Sequence, residues 1–269
     1  ERCGINTQGQ KNLIIKNAKT HFNDDVVNKL DEILKPQYLG WEIPKYDKQS
    51  SDKKIIVYNH RPHTYKNWPW VLKQMDKLWE QRQDFEVWVP LADKKEKDYM
   101  TIDKYDRFGY FSKLSSCKVG VCCKQKYEGW AVSATDGMSV GVPYMFSDDG
   151  SYHELADEAG IYYKDSDEFL ELMNKTLDNK KFRNKYSKKS LQRFEESKWD
   201  KQISKINDMF QSSIDSFRVF DKSNVYDKMV EFIRSRKSVT KNEIMEHMGS
   251  WGVRIKFDGY RNRLRNEKD

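Results

Sequence analysis

Between residues 54 and 199 the sequence alternates short apolar runs with longer stretches of helical periodicity, and few folds accommodate that alternation. The apolar runs are Lys54-Ile55-Ile56-Val57-Tyr58, Phe85-Glu86-Val87-Trp88-Val89, Val119-Gly120-Val121-Cys122-Cys123, Pro143-Tyr144-Met145-Phe146 and Gly160-Ile161-Tyr162-Tyr163. They are nearly continuous in apolar character, as strands covered on both faces must be. Helical segments are expected at 69–81, 105–116, 131–140 and 166–177. The first carries Val71, Leu72, Met75, Leu78 and Trp79 as its apolar face. Strands interleaved with helices of about 10–15 residues predict an α/β fold, a Rossmann-like doubly wound parallel sheet. Ligands of such sheets bind at the carboxyl ends of the strands.

The flanks read differently. Residues 5–35 combine a short strand end, a polar turn at Gln8-Gly9-Gln10 and helical spacing from Leu13 to Leu34. A break is expected at Asn23-Asp24 and a stop at Pro36. Residues 44–54 read as a linker and 182–213 as mostly helical. Residues 223–266 divide into three short helices. The second opens on Thr240 with Glu243 three residues later, a capping box. This predicts a small all-α, helix-turn-helix-like domain at the C-terminal end.

Composition removes several classes of function. Eight Trp, fifteen Tyr and thirteen Phe argue against disorder. No apolar run approaches the roughly 20 residues that cross a bilayer, and no secretory signal is visible. Cys3, Cys117, Cys122 and Cys123 form no C-x2-C pair and have no His at zinc-ligand spacing. They read as reduced, buried hydrophobes in a cytoplasmic protein, with no metal site. The chain opens on Glu1 rather than Met, which reads as a fragment or processed piece. Of the net charge of +7, residues 217–269 supply thirteen Lys/Arg against eight Asp/Glu, a surplus of five. Such a tail suits an anionic partner such as double-stranded DNA, through Arg254, Lys256, Arg261, Arg263 and Arg265. A solvated basic face is the alternative, and both stay open.

Two segments carry chemistry. Arg61 and Lys66 leave the carboxyl end of the first central strand together, where a diphosphate would need fixed cations. After the strand at 119–123 comes the string Glu128-Gly129-Trp130-Ala131-Val132-Ser133-Ala134-Thr135-Asp136-Gly137-Met138-Ser139-Val140-Gly141-Val142-Pro143. Glu128 precedes a helix, Gly129 lets the backbone approach a ligand, and the helix N-terminus offers N–H groups to phosphate. Asp136, inside the helix, can accept bonds from ribose hydroxyls. An acidic residue favoured by the helix dipole accounts for Glu128 alone but not for the whole string. His60 and His63 flank Arg61; loop packing is their simpler role.

The 128–143 string resembles the E-x7-E signature of retaining GT-B glycosyltransferases, and Arg61-x4-Lys66 resembles their diphosphate motif, in the same order. Asp149-Gly150-Ser151-Tyr152-His153-Glu154 and the stretch 194–210 with Trp199 resemble the segments that follow. One departure is Asp136, where the family usually has Glu. The resemblance implies a domain plan: 1–46 as the remnant of an N-terminal GT-B domain with its linker, 47–216 as the nucleotide-sugar-binding domain, and 217–269 as the basic appendage. The rest of the N-terminal domain would lie upstream or on another chain. The resemblance further implies a nucleotide diphosphate sugar donor, UDP-linked by preference, and transfer with retained configuration without cofactor or metal. Arg61, Lys66 and Glu128 become the catalytic set. Glu128, Gly129, Trp130 and Asp136 join the two cations around the donor. The acceptor stays open between a hydroxymethylated pyrimidine in DNA, as some viral enzymes use, and a polysaccharide, lipid or protein. A non-catalytic DNA- or sugar-nucleotide-binding module is the remaining alternative.

Overall fold

In the computed structural model, residues 3–124, 130–148 and 150–218, together with 231, 232, 234–236 and 243, are described. The elements run β1 (Cys3–Ile5), α1 (Gln8–Ala18), α2 (Asp24–Ile33), β2 (Leu34–Pro36), β3 (Lys54–Val57), α3 (Trp68–Gln81), β4 (Phe85–Trp88), β5 (Met100–Thr101) and α4 (Arg107–Ser115). They continue as β6 (Val119–Cys122), α5 (Val132–Ser139), β7 (Tyr144–Ser147), α6 (Gly150–Ala156), β8 (Gly160–Tyr163), α7 (Ser166–Asp178), α8 (Lys180–Glu196) and α9 (Trp199–Arg218). The chain divides into two compact units, Glu1–Asp208 and Met209–Asp269. In the second unit the described residues 209–218 are helical as part of α9, and so are 231, 232 and 234. Arg254, Lys256, Arg261, Arg263 and Arg265 lie outside the described residues.

Strands β3–β8 form one parallel sheet in the order β5-β4-β3-β6-β7-β8. The chain builds outward from β3 to β5, returns, lays β6 on the other side of β3 and proceeds to β8. The order therefore reverses between β3 and β6, the position where doubly wound sheets open a crevice. Alternate residues of each strand enter two separate cores. Ile56, Tyr58, Val87, Val119, Val121 and Met145 pack with Val71, Met75 and Leu78 of α3 and Phe169 and Met173 of α7. Ile55, Val57, Trp88, Cys122, Tyr144 and Phe146 pack on the other side with Phe111 and Leu114 of α4, Ala134 and Met138 of α5, Leu155 of α6 and Phe194 of α8. The doubly wound parallel sheet expected from the alternation is the one observed.

Local chemistry sets the ends of the elements. α3 begins at Trp68, with Pro69 in its first turn, where the missing N–H costs nothing. The break expected at Asn23-Asp24 exists: α1 ends at Ala18, and the Asn23 side chain caps α2 by accepting from the Val26 N–H at 3.1 Å. Two strands escaped the sequence reading. β5 has two residues inside a charged stretch, too few for any periodicity. Leu34–Pro36, expected only to end a helix, turns extended and pairs in parallel with Cys3–Ile5.

This N-terminal pair is fastened to the sheet domain at two points. The Glu154 carboxylate accepts from the backbone N–H groups of Gln8 and Gly9, each at 2.7 Å, at the first turn of α1. The Tyr38 hydroxyl donates to the same carboxylate at 3.2 Å. Farther along, the buried Trp41 donates its N–H to the Ser197 carbonyl at 2.9 Å and accepts from the Trp199 N–H at 3.3 Å. Cys117, Cys122 and Cys123 are buried thiols, and burial pushes Cys117 up to about 12. Among the described residues no helix is long and apolar enough to cross a membrane.

Candidate functional site

The loop 58–67 leaves the sheet at its switch point after β3, and Cys123 and Lys124 leave it after β6. The first is a built turn. Thr64–Lys66 form a single 3-10 turn, with the Lys66 N–H donating to the His63 carbonyl at 3.0 Å. Asn67 then takes a left-handed conformation, φ +56°, which Asn tolerates better than most residues. It redirects the chain into α3. The Lys66 carbonyl accepts from the Tyr58 hydroxyl at 3.0 Å and from the Cys123 thiol at 3.2 Å. The turn that carries Lys66 is thus gripped from the ends of both flanking strands.

Arg61 is exposed on this loop and Lys66 is half-buried. The Lys66 ammonium lies 5.4 Å from the centroid of the Tyr65 ring. His60 between them and the strand is only 3% exposed. Burial, aided by the Lys66 charge, pushes His60 down to about 3, so its ring stays neutral.

Asn59 joins the β3 loop to α4, α5 and β7. It is 2% exposed. Its amide nitrogen donates to the Ser133 carbonyl, in the first turn of α5, at 2.6 Å and to the Tyr110 hydroxyl at 2.8 Å. Its amide oxygen accepts from the Tyr144 hydroxyl at 2.9 Å. Tyr110 in turn donates to the Asp136 carboxylate at 3.4 Å. Burial raises Asp136 to about 6, against the lowering effects of the Tyr110 hydrogen bond and the Arg107 charge. The Tyr144 ring that supports Asn59 fits between two glycines. A Cβ built on Gly120 would come within 2.2 Å of it, and one on Gly137 within 2.1 Å.

Of the expected site residues, Arg61 and Lys66 lie on the β3 loop, and Asp136 lies on α5, the helix that follows β6 in sequence. The chain Asn59–Tyr110–Asp136 and the bond from Asn59 to Ser133 connect the two. Trp130 is buried, 7% exposed, and its ring stacks on Tyr38 with centroids 5.5 Å apart. Glu128 and Gly129 lie outside the described residues. Beyond β7, His153 Nε2 lies 2.7 Å from the Asp148 carboxylate, and its ring stacks on Tyr162. The sequence reading missed Asn59, Tyr110 and Tyr144. Asn59 had one visible signal: it is the first polar residue after an apolar run. Tyr110 and Tyr144 look like ordinary helix and strand hydrophobes.

No family model matches the sequence, and no curated protein matches it. Solved structures do. A TarM variant from S. aureus, crystallised with fondaparinux, α-GlcNAc-glycerol and UDP, is 14% identical with a TM-score of 0.60, over 78% of this chain and 43% of that one. Sucrose-phosphate synthase from Thermosynechococcus elongatus is 14% identical with a TM-score of 0.55, over 68% and 53%. A UDP-forming α,α-trehalose-phosphate synthase from Burkholderia vietnamiensis is 8% identical with a TM-score of 0.51, over 61% and 45%. The parallel sheet with its flanking helices has the Rossmann-like fold found in these GT-B glycosyltransferase structures. The chain spans about half the length of each.

Proposed function

We propose that this chain is the donor-binding half of a GT-B glycosyltransferase that takes a nucleotide diphosphate sugar, with UDP as the preferred nucleotide. The observation that carries this reading is the double grip on the Lys66 carbonyl by Tyr58 and Cys123 at the switch point. It gives a cationic loop a fixed backbone where a diphosphate would lie. Arg61 offers a planar fork and Lys66 a point charge. Asp136, across the crevice on α5, takes the ribose hydroxyls. By the sequence resemblance, Glu128 lies beside the donor sugar and Gly129 lets the helix N-terminus approach the phosphates. The UDP in the TarM crystal and the UDP-forming activity in the trehalose-phosphate synthase name support the choice of nucleotide.

In the proposed reaction the bond from the sugar anomeric carbon to the β-phosphate oxygen breaks, and its electron pair leaves with the nucleoside diphosphate. An acceptor hydroxyl oxygen bonds to the same carbon with retained configuration, and its proton passes to the departing phosphate. Negative charge grows on the diphosphate as it leaves. Arg61 and Lys66 favour that charge more in the transition state than before it.

The acceptor is read from the basic tail alone. A surplus of five positive charges over residues 217–269 suits a polyanion, and duplex DNA bearing a hydroxymethylated pyrimidine is the acceptor we favour. Two measurements test the proposal. Thermal unfolding with a panel of nucleotide diphosphate sugars at about 100 times Kd should add about 2.7 kcal/mol of stability for the true donor. A panel in which none stabilises the protein rejects the donor reading. A gel-shift titration in salt tests the acceptor: absence of duplex binding at low salt removes DNA and leaves a polysaccharide, lipid or protein.

A further inference from the structure

The buried polar chain behind the β3 loop has a fixed direction. The Ser133 carbonyl can only accept, so the Asn59 side chain must turn its nitrogen toward it. The second hydrogen of that nitrogen goes to the Tyr110 oxygen at 2.8 Å. The Asn59 oxygen faces the Tyr144 hydroxyl at 2.9 Å, which donates to it. The Tyr110 oxygen therefore accepts from Asn59, and its own single proton is left for Asp136 at 3.4 Å. Donation runs one way, from Tyr144 through Asn59 and Tyr110 to the Asp136 carboxylate.

We infer that Tyr110 is a positioning residue for the donor ribose: its hydroxyl holds one oxygen of Asp136 and leaves the other for the ribose hydroxyls. The inference rests on the donor reading above and adds a residue to it. Asp136 has a short arm, with one methylene fewer than Glu. With one torsion fewer than Glu, its carboxylate has less freedom to adjust its reach, and the group that bonds it helps to set its placement. Tyr110 is itself held on two sides, by Asn59 and by its ring contacts with Trp88 and Phe111, at centroid distances of 5.8 and 5.3 Å. Among the described residues, the charged and titratable groups facing Asp136 are Tyr110 and Arg107 of α4 and, through the field, Tyr144 of β7. Burial holds the carboxyl at about 6, and the Tyr110 bond opposes that rise. Ribose hydroxyls are donors, so they bind best to the ionised carboxylate.

Calorimetric titration of the full chain with UDP-glucose from pH 5 to 8 tests this. UDP-glucose carries no group of its own that titrates in that window, unlike UDP. Wild-type affinity should fall as pH drops through about 6. Tyr110→Phe should move that midpoint upward and weaken binding at pH 7 about fivefold. It should also erase most of the wild-type preference for UDP-glucose over its 2′-deoxyuridine analogue, which a merely structural role would leave intact. Asp136→Asn, which keeps the volume, should bind with no pH dependence in the window. A Tyr110→Phe variant with unmoved midpoint and unmoved preference overturns the inference alone, as does an Asp136→Asn variant that still loses affinity below pH 6. A wild-type protein that binds no nucleotide sugar overturns the donor reading and this inference together.

Discussion

The Tyr144 hydroxyl donates to the Asn59 side-chain oxygen across 2.9 Å, and both groups are shut off from solvent. Tyr144→Phe leaves that oxygen buried without its donor. A buried acceptor so stranded costs about 1–3 kcal/mol. Urea unfolding should report that loss, with an unchanged slope against denaturant. A variant as stable as wild type would show that Asn59 finds another donor.

Gly137→Ala attacks the same ring from its side. The new methyl would stand 2.1 Å from the Tyr144 ring, far inside contact distance. The neighbours are a helix backbone and a fully buried ring, so neither can yield cheaply. Overpacking of this kind costs about 1–3 kcal/mol or more. Thermal unfolding should fall by several degrees, and donor affinity should fall with it, because Ser133 and Asp136 share the helix.

His60 gives stability a pH dependence of known sign. Its folded value is about 3, against 6.5 in the unfolded chain. Between these values the unfolded state binds the extra proton. The contribution to stability is therefore complete above pH 6.5, declines below it by up to about 1.4 kcal/mol per unit, and levels off near 3. Asp136, raised to about 6, acts with the opposite sign between about pH 4 and 6. His60→Leu keeps much of the volume and removes the titration. Its stability relative to wild type should rise steadily as pH falls from 7 to 5 in urea melts. A constant difference would mean that the ring takes up its proton in the folded state.

Lys66→Ala removes the ammonium but keeps the carbonyl that Tyr58 and Cys123 grip. The free protein should melt within about a degree of wild type, as expected for a side chain away from the core. Affinity for the nucleotide sugar should fall at least about tenfold, the scale of one lost charge-assisted contact. Calorimetry with equal affinity for both proteins would remove Lys66 from the diphosphate.

Glu154→Gln tests the fastening of α1. Glutamine offers one acceptor oxygen where the carboxylate offers two, and the charge at the helix N-terminus is gone. Hydrogen exchange at Gln8 and Gly9 should speed up by about tenfold, while amides of β3 and β6 keep their protection. Faster exchange throughout the sheet would show instead that the fastening supports the whole domain.

The fold was legible because its strands are buried on both faces. Ile55 and Ile56 enter opposite cores, so the run around them had to be apolar throughout, and periodicity picked it out. Element ends were readable where a side chain sets them, as at Asn23 and Pro69. β5 and β2 were not, because two or three residues have no period and their pairing is decided by partners remote in sequence. The two cations of the proposed site were visible as residue types at a strand end. Their supports were not. Tyr110 lies 51 residues from Asn59 in sequence and Tyr144 lies 85 residues away, and only the folded sheet brings them together.

The crossing of residue 41 with residues 197–199 fixes how mechanical load passes through the first unit. Two backbone hydrogen bonds join Trp41 to Ser197 and Trp199, and a Cβ on Gly40 would come within 2.4 Å of the Trp199 ring. The strand entering the domain and the one leaving it are spliced at one spot. Tension between the segment before Trp41 and the start of α9 is borne by that splice. The proposed donor residues Arg61, Lys66 and Asp136 take no part in those bonds.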